Sequence, residues 1–149
     1  MTEEEVKTKL NSALDRLVEK DSFLLECNVN ERSISHRLAV YLGHEFEGWD
    51  VDCEYNRNMD DPKRMNLQEV DSDSTDTEGK TVYPDIIVHK RGESNNLLVV
   101  EMKKTTSHIG DFFDLHKLDA FKKQLGYRNA VFVKVKTLNS VGYEVPIWK

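Results

Sequence analysis

Apolar positions recur at helical spacing in three places along the chain. Val6, Leu10, Ala13, Leu14, Leu17 and Val18 form one face, which predicts a helix over 2–21. Thr2 and Glu5 have the spacing of a capping box at its start. Ile34, Leu38, Tyr41 and Leu42 predict a second helix from Glu31 to Leu42, with Asn30 as N-cap and Gly43 as terminator. Phe112, Leu115, Leu118, Ala120, Phe121 and Leu125 predict a third, which Gly126 stops. Between them lie runs with the shorter strand period. "GWDVDCEYN" alternates, with Trp49, Val51, Cys53 and Tyr55 on one face and Asp50, Asp52 and Glu54 on a wet one. "DIIVHK" and "NLLVVEMK" are short apolar strands joined by "RGESNN", whose Gly92 and paired asparagines suit a hairpin. "AVFVKVKT" predicts a buried strand, and "YEVPIWK" an edge strand because of Pro146. The polar, acidic stretch over 56–82 predicts a long loop. Its "DSDSTDTEGK" resembles a calcium loop only superficially, since the terminal glutamate and flanking helices are missing.

After the first helix the order is helix, three strands, helix, strand. That order predicts one mixed α/β domain over 1–149, with a small central sheet flanked by helices. The length of 149 residues, with 38% hydrophobic and 32% charged, suits a single globular unit. No apolar run approaches the roughly 20 residues of a membrane span. The acidic start "MTEEEVKTKL" lacks the layout of a signal peptide. Cys27 and Cys53 form neither a disulfide framework nor a zinc motif, so a cytoplasmic protein is expected. The net charge of −6 is unevenly spread. Residues 1–82 hold 20 acids and 10 Lys/Arg, whereas 83–149 hold 7 acids and 11 Lys/Arg. A polyanion is better received by the second half.

The candidate chemistry lies in that half. Asp85 opens one hairpin strand and Glu101 closes the other, so antiparallel pairing brings both to one end of the sheet. Lys103, two residues after Glu101, shares its face. Close carboxylates oppose each other's ionisation unless a cation lies between them. Carboxylate oxygens, a backbone carbonyl and waters suit Mg2+ or Mn2+. Such a cation would polarise a phosphodiester, with the lysine countering developing negative charge. Each residue also has a plainer role: Asp85 as a turn residue, Glu101 and Lys103 as a surface ion pair, and Glu31 as a helix-dipole residue. Asp52 and Glu54 are expected in solvent, and Asp114 and Lys117 as an ion pair within the late helix. Lys104, Lys117, Lys122 and Lys123 are candidate phosphate contacts.

"YPDIIV" followed by "LLVVEMKK" resembles the PD-(D/E)XK nuclease superfamily, the restriction-endonuclease-like fold. The motif is Pro84-Asp85, fifteen residues, then Glu101-Met102-Lys103. The αβββαβ core of that family maps onto about 28–136, and the wider pattern is similar to small bacterial members. The resemblance implies Asp85, Glu101 and the Met102 carbonyl as metal ligands and Lys103 as the catalytic lysine. It implies a further glutamate from the first core helix, Glu31 or Glu26. The expected function is a Mg2+- or Mn2+-dependent nuclease acting on nucleic acid, DNA ahead of RNA. The alternative is a catalytically silent nuclease-fold module that binds or regulates through a protein partner. No DNA-reading motif is visible, so selection would come from a homodimer, a partner or the loop at 56–82.

Overall fold

The structure is a computed structural model that describes residues 1–55, 57–58, 61–62, 64–65, 80–81 and 83–149. Helix α1 spans Glu3–Lys20, and Thr2 caps it with the full box: its Oγ1 accepts from the Glu5 N–H while the Glu5 carboxylate accepts from the Thr2 N–H. Val6, Leu10, Ala13, Leu14 and Leu17 are its buried stripe. A short helix the periodicity did not signal, α2 at Ser22–Glu26, delivers Leu25 to the core. Helix α3 runs Glu31–Glu45, capped by Asn30, whose side chain accepts from the Ser33 N–H at 2.8 Å. It passes through the expected terminator Gly43. Phe46 ends it instead, fully buried, with its N–H on the Leu42 carbonyl at 2.8 Å. Burial of a phenyl ring outweighs the roughly 1 kcal/mol that a mid-helix glycine costs.

The sheet is formed by β1 (Asp50–Cys53), β2 (Ile86–Lys90), β3 (Asn95–Lys104), β4 (Asn129–Lys136), β5 (Gly142–Tyr143) and β6 (Ile147–Trp148). Helix α4, Phe112–Leu125, lies between β3 and β4 and ends at Gly126, whose φ of 68° is left-handed. Strand order is β1-β2-β3-β4-β6, with β5 also on β4. β3 and β4 pair in parallel, with Val100 opposite Val131; the other pairings in this sheet are antiparallel. The parallel step requires a crossover, and α4 supplies it. Two further antiparallel ladders of two residues join Arg57–Asn58 to Asp61–Pro62 and Arg64–Met65 to Lys80–Thr81, within the stretch expected to be loop. The acidic run over 71–79 lies outside the described residues. Together these elements are a mixed α/β fold. Among the described residues no helix is long and apolar enough to cross a membrane.

The pleat divides the core between two faces. Ile86, Val88, Leu98, Val100, Met102, Val131, Val133 and Val135 pack with α1 and α3. Ile87, Val99, Ala130 and Phe132 pack with Leu118, Ala120 and Phe121 of α4. β1 departs from its expected alternation. Glu54 takes a φ of 50°, which ends the strand and sends Tyr55 to the α4 side rather than beside Val51. Nor is Asp52 solvated. It accepts from Arg91 Nε at 2.9 Å and lies 2.7 Å from the Nε2 of buried His89.

Candidate functional site

Hairpin register builds the site. Ile86 faces Val100, so Asp85 arrives beside Glu101 at the end of the ladder. Asp85 Oδ2 accepts from the Met102 N–H at 2.8 Å, which ties the turn before β2 to β3. Asp85 and Glu101 lie close enough for their carboxyl groups to influence each other's ionisation. Glu101 is only 1% exposed. Burial, then the charge of Asp85, pushes its carboxyl well above the usual carboxylate range. Burial also raises Asp85, opposed by the Met102 N–H.

Two lysines stand on this face, and α4 determines how they are used. Lys117 Nζ lies 3.1 Å from Glu101 Oε1. That is ion-pair distance, so the buried Oε1 faces an ammonium. Lys103 is also buried. Its Nζ donates to the carbonyls of Gly110 at 2.8 Å and Ile109 at 3.2 Å, and pairs with Asp114 Oδ2 at 2.6 Å. The expected pairing of Asp114 with Lys117 inside the helix is therefore corrected. Each reaches across to β3 instead, because the parallel crossover lays that turn of α4 directly over the charged end of the strand.

Glu31 is placed at the wall of the site by the first turn of α3. Its Oε1 accepts from the Lys104 N–H at 3.1 Å, while Lys104 Nζ donates to the Val29 carbonyl at 3.0 Å. Glu26 is exposed on α2, outside the core helix. Glu54 is exposed, as expected, and pairs with Arg32 at 3.1 Å. Asp85, Glu101, Met102, Lys103, Glu31 and Lys117 line one cleft of about 700 Å3, with Asp114, Ile109 and Phe113 on its α4 side. Lys104 lines a neighbouring recess. Lys122 donates to the Lys149 carbonyl oxygen at 2.8 Å and, like the exposed Lys123, is not among the cleft residues. Asp114 is the polar cleft residue that sequence spacing assigned elsewhere.

Among the described residues no group of three or more His, Cys, Asp or Glu side chains converges as a ready cage for a metal ion. The donor set at the cleft floor is smaller: two carboxyl groups and the Met102 carbonyl, with waters to complete a shell. It suits a hard divalent cation in its chemistry, with the Lys117 ammonium standing at Glu101 Oε1. No protein-family model, curated protein or solved structure matches the chain.

Proposed function

We propose that the cleft is a divalent-metal-dependent phosphodiesterase site, and that the chain is a nuclease of restriction-endonuclease-like fold. One observation carries this reading: the buried Glu101 carboxyl lies beside Asp85 in the cleft, where the second carboxyl opposes its ionisation. Isolated buried carboxyl pairs destabilise a fold. A pair kept beside two lysines and open to a cleft has a better account as a cation site. The motif Pro84-Asp85…Glu101-Met102-Lys103 on an antiparallel hairpin, followed by a helical crossover to a parallel strand, supports the same reading.

In the reaction, water adds to phosphorus, and the bond from phosphorus to the leaving sugar oxygen breaks. The products are a phosphate monoester and a hydroxyl. Asp85 and Glu101 would hold a Mg2+ or Mn2+ ion, with the Met102 carbonyl as a further ligand and Glu31 at the outer wall. Such an ion would supply positive charge to the phosphate. Lys103, oriented by Asp114 and the Gly110 carbonyl, places its ammonium where negative charge develops. Lys117 offers a second ammonium once it leaves Glu101.

The direct test is cleavage of DNA and RNA with and without Mg2+ or Mn2+, comparing the wild type with Lys103→Ala. Metal-dependent cutting that disappears in the variant supports the proposal. Cutting that persists in the variant removes Lys103 from the mechanism, and no cutting of any substrate removes the nuclease reading.

A second reading has its own observation. Lys117 already stands at ion-pair distance from Glu101, and no cage of three ligands is preformed among the described residues. The fold would then be a silent module acting through a protein partner. Divalent ions would leave its melting temperature unchanged, whereas binding to the native state raises it by mass action.

A further inference from the structure

The rim of the cleft is apolar and largely uncovered. Ile109 is 73% exposed, Phe112 71%, Tyr83 54% and Phe113 46%. In a chain of this size most large apolar side chains are buried, whereas Ile109 and Phe113 are exposed at the cleft, with Phe112 next to Phe113 on α4 and Tyr83 reached through Lys117. Ile109 and Phe113 line the cleft itself. Lys117, the cation at Glu101, lies 5.8 Å from the Phe113 ring centroid and donates to the Tyr83 carbonyl at 3.5 Å. The apolar rim and the acidic floor are therefore joined through one lysine. A second track runs beside it on α4. Phe112 and His116 stand with ring centroids 6.0 Å apart, and Lys123 continues the same row two turns later.

We propose that this rim is a stacking platform and that the substrate is single-stranded nucleic acid. The proposal rests on the phosphodiesterase reading of the cleft floor. Glu101 is almost completely enclosed, so a phosphodiester must enter the cleft to reach it. A paired duplex is stiff and keeps its bases stacked inside, where the rim rings cannot touch them. An unpaired strand bends and offers its base faces. Exposed aromatic rings with interleaved lysines are the combination that binds such strands: rings take bases and ammonium groups take phosphates. On this geometry Phe113 stacks the base beside the scissile phosphate, Lys117 takes a neighbouring phosphate, and Phe112, His116 and Lys123 hold the strand beyond. A protein partner of apolar surface is the competing occupant. The lysine beneath Phe113 and the row ending in Lys123 favour a polyanion.

The test is fluorescence anisotropy with one labelled sequence offered as single-stranded DNA, single-stranded RNA and blunt duplex DNA, in Mg2+, with cleavage read in parallel. Single strands are expected to bind at least tenfold tighter than duplex. Phe113→Ala and Phe112→Ala are each expected to weaken single-strand binding about tenfold, with Tm unchanged because both rings are exposed. Phe113→Tyr restores binding and Phe113→Leu does not, which separates stacking from general apolar contact. The DNA and RNA arms identify the sugar, and tight binding of either supports the platform. Equal or tighter binding of duplex overturns it, as does unchanged affinity in the alanine variants. The two proposals fail separately. Stacking-dependent binding without metal-dependent cutting sinks the hydrolase and leaves the platform. Cutting of both forms at equal rate, indifferent to Phe112 and Phe113, sinks the platform and leaves the hydrolase.

Discussion

Lys117 Nζ stands 3.1 Å from Oε1 of the buried Glu101, so the helix that covers the sheet supplies its own cation to the carboxyl pair. An internal ammonium and a bound metal compete for the same charge. Lys117→Ala is therefore expected to lower stability in chelator. The loss stays below the about 3–5 kcal/mol of a broken buried pair, since Glu101 takes up a proton in place of its partner. The same variant should gain more melting temperature than the wild type from Mg2+ or Mn2+. Thermal melts with and without metal check this, and an identical metal increment in both proteins would remove Lys117 from the cation site.

Glu101 predicts the pH dependence. Its folded carboxyl is raised well above 4.5 by burial and by Asp85. Between 4.5 and that raised value the native state binds more protons than the unfolded chain, so stability falls as pH rises. Below about 4.5 this contribution is fully present; it is lost as pH climbs through the raised value. Glu101→Gln removes the titration and keeps the shape. At neutral pH in chelator it should melt about 3 °C or more above the wild type, the shift that ~1 kcal/mol brings to a chain of this size. The two proteins should converge in acid. A parallel pH profile for both would contradict the raised carboxyl of Glu101. Metal binding to the wild type should release a proton, so affinity for Mg2+ rises with pH.

On the proposed mechanism Asp114 positions Lys103, which it meets at 2.6 Å. Asp114→Asn keeps the shape and removes the charge. It is expected to lower kcat by about tenfold to a hundredfold with little change in KM, and to alter the pH profile of kcat. Lys103→Ala is expected to cost more, about 100- to 1000-fold, the scale of losing one charge-stabilising group. Equal kcat in Asp114→Asn and wild type would reduce Asp114 to a fold residue.

Leu14 lies fully buried between α1 and the core shared with α3. Leu14→Ala is expected to destabilise by about 2–5 kcal/mol through lost burial and the cavity left behind. Gly126→Ala acts through backbone alone. No atom lies within 4 Å of an added Cβ, but the φ of 68° is left-handed, so about 1 kcal/mol is expected. Urea titration measures both.

What the sequence by itself determined is local. The capping box of Thr2 and Glu5, the Asn30 cap, the Gly126 stop and the hairpin from Ile86 to Lys104 all follow from neighbours within a few positions. Asp85 and Glu101 were brought together by the same rule, because the short turn of an antiparallel hairpin fixes its register. Tertiary structure decided the rest. Gly43 did not stop α3, because Phe46 had a core to enter. Glu54 left the strand pattern through a left-handed φ, and α2 formed to seat Leu25. Most consequentially, Asp114 and Lys117 turned from each other to Lys103 and Glu101. Helical spacing sets which side chains share a face of α4. Only the parallel crossover from β3 to β4 sets what that face meets, and a buried charge pairs with whatever opposite charge the packed layers bring within reach.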